Sequence, residues 1–119
     1  CVEVDLMGQI ASEAIGTRQY SGSGGAFDYA YGALRSKGGK GVMAFTSRTA
    51  KGQSKIRCML EAGSTVTIPR NYADYIVTEY GIAHLRGRNL KERAAALIAI
   101  AHPDCREELT AQAKKLMWL

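Results

Sequence analysis

The pattern of hydrophobic and polar residues predicts mostly strands in the first two thirds of the chain and helices in the last third. Residues 2–6 alternate between apolar and acidic side chains, as a half-buried strand does, and Gly8 ends this segment. Four further apolar or alternating runs predict strands at positions 42–45, 56–60, 65–68 and 75–78. Gly81 and Gly87 then predict a loop.

Apolar residues at spacings of three and four predict a first helix over residues 26–34. The residues that share its apolar face are Phe27, Ala30, Tyr31 and Leu34. Asp28 in its first turn suits the positive end of the helix dipole. The glycine-rich turn at residues 36–40 ends the helix.

Two cap signals predict two more helices near the end of the chain. Asn89 with Glu92 has the spacing of a capping box. The apolar stripe that follows is Leu90, Ala94, Leu97, Ile98 and Ala101. After the break at residues 102–103, Asp104 with Glu107 repeats the cap signal. The closing helix carries Leu109, Ala113 and Leu116.

Strands mixed with helices and separated by glycine turns predict an α/β fold with a mixed sheet flanked by helices. The 119 residues suffice for a single domain, spanning positions 1–119. The chain opens in strand pattern without an initiator Met, which indicates a piece of a longer protein. In such folds, ligands bind beyond the carboxyl ends of the strands.

The stretch between Gly16 and Gly25 holds four of the thirteen glycines and leads into the first predicted helix. Its last five residues are Ser21, Gly22, Ser23, Gly24 and Gly25. A loop of this kind presents unpaired N–H groups and the positive end of a helix dipole. It can hold a phosphate or a developing oxyanion, or it can be a tight strand-to-helix turn without a ligand. Both interpretations stay open on the loop alone.

Composition and charge narrow the class of protein. With 46% hydrophobic and 23% charged residues, the chain is an ordinary globular sequence, and it has no apolar run of membrane-spanning length. The net charge of +5 suits an anionic partner, although the basic residues are scattered. The three cysteines, Cys1, Cys58 and Cys105, show neither a disulfide framework nor metal-ligand spacing. We therefore expect a cytoplasmic protein without a metal.

Lys37 and Glu79 are the candidate side chains outside the glycine loop. Lys37 belongs to a Lys-Gly-Gly-Lys turn, which is either a solvated loop or a phosphate contact. Glu79 ends the predicted strand 75–78. It is either a surface carboxylate paired with Arg86 or Arg88, or a functional group at a ligand-binding sheet edge.

The two histidines favour structural roles. His84 lies near a glycine turn, and His102 precedes a proline at a helix end. Histidines in such places commonly cap a helix or pack against neighbours. We find no Ser-His-Asp or Cys-His order in the sequence.

Several motifs in chain order together resemble a known family. They are residues 2–9, residues 16–25 with Asp28, residues 36–40, residues 77–83 with 85–87, residues 92–94, and residues 99–103. This set is similar to the C-terminal domain of the acetyl-CoA hydrolase/transferase family, which includes acetate, butyrate and 4-hydroxybutyrate CoA-transferases. The resemblance covers essentially the whole chain.

The resemblance implies a two-domain α/β enzyme that works by covalent catalysis. A glutamate attacks an acyl-CoA thioester, and a glutamyl-CoA thioester then forms. In the family this glutamate lies upstream of the present stretch, so this chain alone is expected to be inactive. The implied substrates are acyl-CoA and a small carboxylate. The implied partners are the N-terminal domain of the same enzyme and further copies in a homo-oligomer, without nucleic acid or membrane.

The resemblance also assigns roles within this chain. The loop from Ser21 to Gly25 and Lys37 contact coenzyme A, and the N–H groups around Gly24 and Gly25 stabilise the thioester oxyanion. Glu79 belongs to the polar shell around the nucleophile. Ala26 and Tyr29 stand where many members have Gln and Phe, a departure that concerns substrate choice more than reaction type.

Two other classes of function remain as alternatives. One is a basic α/β module that binds a nucleotide or nucleic acid without catalysis. The other is a structural or oligomerisation domain with no ligand at the glycine loop.

Overall fold

This computed structural model describes residues 2–119 of the chain. They contain eight short strands and three helices, joined by turns and loops. In chain order they are β1 (Glu3–Asp5), β2 (Ile10–Ala11), β3 (Ala14–Ile15), β4 (Arg18–Gln19), α1 (Ala26–Arg35), β5 (Val42–Ala44), β6 (Ile56–Arg57), β7 (Tyr75–Thr78), β8 (Gly81–His84), α2 (Leu90–Ile100) and α3 (Pro103–Lys115). Cys1 lies outside the described residues. The other two cysteines are free thiols.

The strands confirm the predicted mixed α/β fold, with their pairing divided among three small sheets. β1 pairs antiparallel with β2 and parallel with β6. β5 runs parallel to β7, which pairs antiparallel with β8. β3 and β4 form a separate hairpin. Because β5 and β7 are parallel neighbours, the residues that follow each of them meet at the same edge of the sheet.

Helix α2 covers the β7–β8 hairpin and forms the centre of the core with it. Ile76 and Ala83 lie opposite each other on the two strands and are both buried. On the helix, Ala94, Leu97 and Ile98 are buried, and Ala101 is buried directly after it. This confirms the predicted stripe except at Leu90, which is half-buried. None of the helices within residues 2–119 is both long and apolar enough to cross a membrane.

Helix α1 forms where the apolar spacing predicts it, but it packs lightly. All ten of its residues stay at least partly exposed, and Tyr29 is 83% exposed. An aromatic cluster joins it to the rest of the domain: the Phe27 ring lies 6.1 Å from that of Tyr31 within the helix and 5.0 Å from that of Tyr72 outside it. The side of the domain that carries α1 is therefore held by few contacts.

Two strand predictions and one loop prediction were wrong in extent. Residues 65–68 form no strand among the described residues, and only Ile68 pairs, in a single bridge with Ile10. The Thr67 hydroxyl instead accepts the Ser12 N–H at 3.1 Å, so a side chain replaces a ladder bond. The strand predicted at 56–60 is limited to β6, and the predicted loop 16–25 contains β4.

Two boundary predictions were also wrong. The loop predicted from Gly81 is strand β8, because the residues after Gly81 pair with β7. The predicted cap at Asp104 is replaced by His102, whose Nδ1 accepts the Asp104 N–H at 3.1 Å. Pro103 occupies the first helical position, where its missing N–H costs nothing, so α3 begins earlier than the acidic residue suggested.

Candidate functional site

Glu79 lies in the two-residue turn that joins β7 to β8. Thr78 pairs with Gly81 across this turn. The Ser47 N–H donates a hydrogen bond of 2.7 Å to Glu79 Oε1. Ser47 comes shortly after β5, so the parallel pairing of β5 with β7 brings together two residues that are 32 positions apart. The structure thus places Glu79 at the carboxyl edge of a parallel strand pair.

The turn itself is tied to the end of α2. The Thr78 hydroxyl is buried, donates to the Ile100 carbonyl at 2.6 Å and accepts the Tyr80 N–H at 3.1 Å. A buried hydroxyl with both a donor and an acceptor partner fixes the local backbone. The main chain on both sides of Glu79 is therefore held in place.

The surroundings of Glu79 keep it ionised. The Ser47 N–H, which donates to the carboxylate, holds the pKa of Glu79 below its ordinary value. Desolvation acts in the opposite direction and is the weaker effect. Glu79 is thus a carboxylate at neutral pH and a hydrogen-bond acceptor only.

The ion pair considered from the sequence is not formed. Within residues 2–119, neither Arg86 nor Arg88 makes an ion pair with Glu79, and Arg88 lies 3.4 Å from Glu92 instead. The surface ion-pair interpretation of Glu79 was therefore wrong.

Basic and aromatic side chains border this turn. The Tyr80 ring stands edge-on to the His102 ring at 5.5 Å, and the Arg106 guanidinium lies 5.5 Å from the same Tyr80 ring. Arg48, which follows Ser47, reaches Asp104 at 3.5 Å. Two guanidinium groups, of which Arg48 is paired with Asp104, therefore lie near the edge that carries Glu79.

Both histidines have the structural contacts expected of them. His102 caps α3 through Nδ1. His84 stacks on Tyr75 with 4.4 Å between ring centroids, and its Nε2 lies 2.9 Å from Asp74 Oδ1.

The glycine loop at residues 21–25 is exposed throughout and leads directly into α1. Gly25 is the N-cap residue of α1, and none of residues 2–119 provides a side-chain cap for its N–H groups. Gly24 has φ of +56°, a conformation that favours glycine. The Ala26 N–H donates to the Ser23 carbonyl at 3.5 Å, whereas those of Gly24 and Gly25 have no partner among the described residues. These N–H groups and the open space beside Gly24 leave room for an anionic group at the start of the helix.

Lys37 lies in the exposed turn that follows α1. It makes no hydrogen bond or ion pair with any of residues 2–119. Gly39 fixes the shape of this turn, because a side chain there would run into the Ala33 carbonyl and the Ser36 hydroxyl. Lys40, two residues further on, lines a cavity of about 500 Å³ between α1 and the β5–β7 edge. Lys37 is therefore a free cation on a well-defined turn.

The predicted site residues fall into separate groups. Within residues 2–119, no hydrogen bond or ion pair joins Glu79 to the glycine loop or to Lys37. Ser47 is the neighbour of Glu79 that the sequence did not indicate. Its role arises from strand pairing, which leaves no local signal.

Glu13 is a second residue whose environment the sequence did not indicate. It is buried, and its Oε2 has no hydrogen-bond partner among the described residues. Its carbonyl accepts the N–H groups of Tyr20 and Ser21 at 2.8 and 3.2 Å. It therefore supports the base of the glycine loop through its main chain.

Known proteins share this chain's sequence over almost its whole length. The family model described as the acetyl-CoA hydrolase/transferase C-terminal domain matches residues 1–113. The 4-hydroxybutyrate coenzyme A transferase of Clostridium kluyveri is 54% identical over 97% of this chain and 27% of its own length. An acetyl-CoA hydrolase of Candida albicans is 32% identical over 91% of this chain and 20% of its own length. The chain spans about a quarter of the length of the curated relatives it matches.

Solved structures share the fold. The crystal structure of RipA from Yersinia pestis is 44% identical and superposes with a TM-score of 0.89 over 98% of this chain and 26% of its own. The 4-hydroxybutyrate CoA-transferase of Porphyromonas gingivalis is also 44% identical, with a TM-score of 0.75 over 98% of this chain and 25% of its own. The chain belongs to the acetyl-CoA hydrolase/transferase family and corresponds to its C-terminal domain.

Proposed function

We propose that this chain is the CoA-binding half of an acyl-CoA:carboxylate CoA-transferase or acyl-CoA hydrolase. The observation that carries the proposal is the fixed, ionised carboxylate of Glu79 at the carboxyl edge of β5 and β7. In α/β proteins this edge is where ligands bind. The relatives that span the chain are CoA-transferases and an acetyl-CoA hydrolase, which supports this chemistry.

The reaction proceeds through a glutamate that lies upstream of the present residues. Its carboxylate attacks the thioester carbonyl, the C–S bond breaks, and an acyl-glutamyl anhydride and CoA thiolate result. The thiolate then attacks the glutamyl carbonyl, releases the first carboxylate and leaves a glutamyl-CoA thioester. An acceptor carboxylate reverses these two steps in a transferase, while water cleaves the thioester in a hydrolase.

The glycine loop stabilises the oxyanion of these steps. Negative charge develops on the thioester carbonyl oxygen during attack, and preorganised main-chain donors stabilise such charge strongly. The N–H groups around Gly24 and Gly25 lack a side-chain cap within the described residues, which supports this role. Ser21, Gly22 and Ser23 complete the loop that approaches coenzyme A.

Lys37 binds an anionic part of coenzyme A. Its ammonium group is exposed and free of partners within residues 2–119, on a turn whose shape Gly39 defines. A flexible ammonium acts as a point charge and suits a phosphate group.

Glu79 orients polar groups around the nucleophilic glutamate. Two neighbouring carboxylates repel each other unless donors lie between them. The Ser47 N–H is one such donor, and it keeps Glu79 in its charged form. The relatives do not support the alternative of a nucleic-acid-binding module.

The test uses the full-length protein with acetyl-CoA and an isotopically labelled carboxylate. We expect the label to appear in an acyl-CoA, or acetyl-CoA to be hydrolysed. A salt titration compares the binding of CoA with that of an oligonucleotide, since affinity for many phosphates falls steeply with salt. Absence of both reactions, together with salt-sensitive binding of the oligonucleotide, would overturn the proposal.

A further inference from the structure

We propose that Ser47 is a positioning residue for Glu79, acting with its main-chain N–H and its hydroxyl on one carboxylate. The inference rests on the proposed function, because it concerns how the Glu79 carboxylate is held for catalysis. Ser47 lies outside the motifs that resemble the family, and its place beside Glu79 follows from the parallel pairing of β5 with β7.

Ser47 is the most deeply buried residue at this sheet edge. It has 0% exposure, whereas Glu79, which it contacts, is exposed. Its N–H donates to Glu79 Oε1 at 2.7 Å, which is short for an N–H donor and typical of a charge-assisted bond. One oxygen of the carboxylate is thus already fixed by a buried group.

The Ser47 hydroxyl is a buried polar group without a hydrogen-bond partner among the described residues. Buried hydroxyls are nearly always hydrogen-bonded, so an exception calls for an explanation. The hydroxyl belongs to the same residue whose N–H already bonds Glu79 Oε1 at 2.7 Å. A small adjustment of the side chain lets the hydroxyl donate to the same carboxylate.

The main chain around Ser47 is held independently of its side chain. The Ser47 carbonyl accepts the Lys55 N–H at 2.9 Å, and Arg48 forms an antiparallel bridge with Ser54. The loop that follows β5 therefore closes on itself. Removal of the hydroxyl leaves the N–H donor where it is, so the two contributions can be separated by substitution.

Two donors from one residue restrict the rotation of the Glu79 carboxylate and favour its charged form. A hydrogen bond to an ionised group is worth more than one between neutral groups. Loss of the hydroxyl therefore weakens the orientation of Glu79 and raises its pKa. Because Ser47 acts through Glu79, its effect disappears when Glu79 can no longer ionise.

The experiment measures kcat, KM and their pH dependence in the full-length enzyme. The variants are Ser47→Ala, Glu79→Gln and the double variant, with Thr46→Ala as the matched control. Thr46 lies next to Ser47 and its hydroxyl bonds to the Arg48 carbonyl at 3.1 Å, so it tests loss of a hydroxyl in the same loop. Ser47→Cys, whose thiol is a much weaker donor than a hydroxyl, keeps the buried position filled if Ser47→Ala fails to fold.

We expect Ser47→Ala to lower kcat roughly tenfold without changing the KM for acyl-CoA. The acid limb of the kcat profile moves to higher pH, since Glu79 then becomes protonated earlier as the pH falls. In the Glu79→Gln background, Ser47→Ala changes kcat less than about twofold. Thr46→Ala leaves the acid limb in place.

A carboxylate NMR titration of Glu79 in the full-length protein supplies a readout that needs no activity. The pKa of Glu79 rises in Ser47→Ala if the inference is correct. An unchanged Glu79 pKa and acid limb in a folded Ser47→Ala enzyme overturn the inference, and leave the proposed function standing if Glu79→Gln is impaired. A wild-type protein without CoA chemistry but with the expected NMR shift instead overturns the proposed function alone.

Discussion

The Glu79 turn and the glycine loop at residues 21–25 differ in how completely this chain builds them. The Glu79 turn is held by Thr78, which is bonded to Ile100 and Tyr80, and its carboxylate is bonded to Ser47. The glycine loop is exposed along its whole length and ends at a helix start without a side-chain cap among the described residues. One half of the candidate site is preorganised, and the other presents free donors.

This difference suggests how the two regions act. A fixed carboxylate can orient another group before substrate binds, because its own geometry costs nothing further to organise. Free N–H groups at a helix start gain a partner only when an anionic or polarised group arrives. We therefore expect substitutions in the loop to affect the transition state, and substitutions at the turn to affect the arrangement of the nucleophile.

The largest expected effect comes from separating this chain from the rest of the enzyme. Purified residues 1–119 contain both regions, and the proposed mechanism puts the nucleophilic glutamate upstream of them, so we expect no exchange of CoA between acetyl-CoA and a labelled carboxylate. Circular dichroism and a cooperative thermal transition check that the fragment is folded. Exchange at enzymatic rates by the fragment would show that the nucleophile lies within it.

Gly25→Val in the full-length enzyme is expected to have the next largest effect on turnover. Valine keeps the main-chain N–H, but its methyl groups block the approach of the thioester to that donor. An oxyanion that cannot reach one of its donors costs roughly a hundredfold or more in kcat. Gly25 has φ of −94°, which valine can adopt, and an added Cβ meets only the exposed Tyr29 ring at 3.3 Å. The fold is therefore expected to survive.

The matched control is Gly32→Ala, at an exposed position of α1 where an added Cβ meets nothing within 4 Å. Steady-state kinetics and thermal unfolding compare the two variants. A folded Gly25→Val enzyme with normal turnover would show that the loop does not stabilise the oxyanion.

Glu79→Ala tests the preorganised half. Loss of an orienting group displaces the nucleophile, and a misplacement of about 1 Å costs roughly a hundredfold in rate. Glu79→Gln keeps the shape and the bond from the Ser47 N–H, so we expect it to retain more activity. Neither change should abolish CoA binding.

Glu107→Ala, at an exposed position of α3, serves as the control for loss of a carboxylate. Turnover, CoA affinity and melting temperature are measured for all three variants. Full turnover of Glu79→Ala with a lower melting temperature would make Glu79 a structural residue.

Lys37→Ala is expected to have the smallest effect. A phosphate contact acts in the ground state and the transition state alike, so CoA affinity falls several-fold while kcat changes little. The loss should shrink as ionic strength rises, because exposed charges are screened. Lys91→Ala removes an exposed charge from α2 and is the control. Equal CoA affinities of Lys37→Ala and wild type at every salt concentration would show that Lys37 is a solvated surface residue that does not bind CoA.

The sequence predicted the elements that local patterns specify. The α1 face, the α2 stripe and the Asn89 cap follow from spacing along one helix, and all three are present. The strand β8 was missed because a glycine usually signals a turn, whereas here pairing with β7 outweighs that preference. Pro103 moved the start of α3 in the same manner, by a local effect that a cap motif alone does not show.

The residues of the candidate site likewise differ in whether a local sequence pattern indicates them. Glu79 could be predicted because it ends an apolar strand, and the glycine loop because of its composition. Ser47 could not, since only the pairing of β5 with β7 brings it to Glu79. Contacts between parallel strands join residues far apart in the chain, and one sequence carries no direct record of them.

The central claim is that Glu79 orients the nucleophile and is not itself the nucleophile. The most direct test traps the full-length enzyme with acyl-CoA, reduces or cleaves the resulting thioester, and locates the modified glutamate by peptide mass spectrometry. The account predicts that the modification lies on a glutamate upstream of residue 1 of this chain, with the peptide that contains Glu79 unmodified. CoA attached to Glu79 would contradict it.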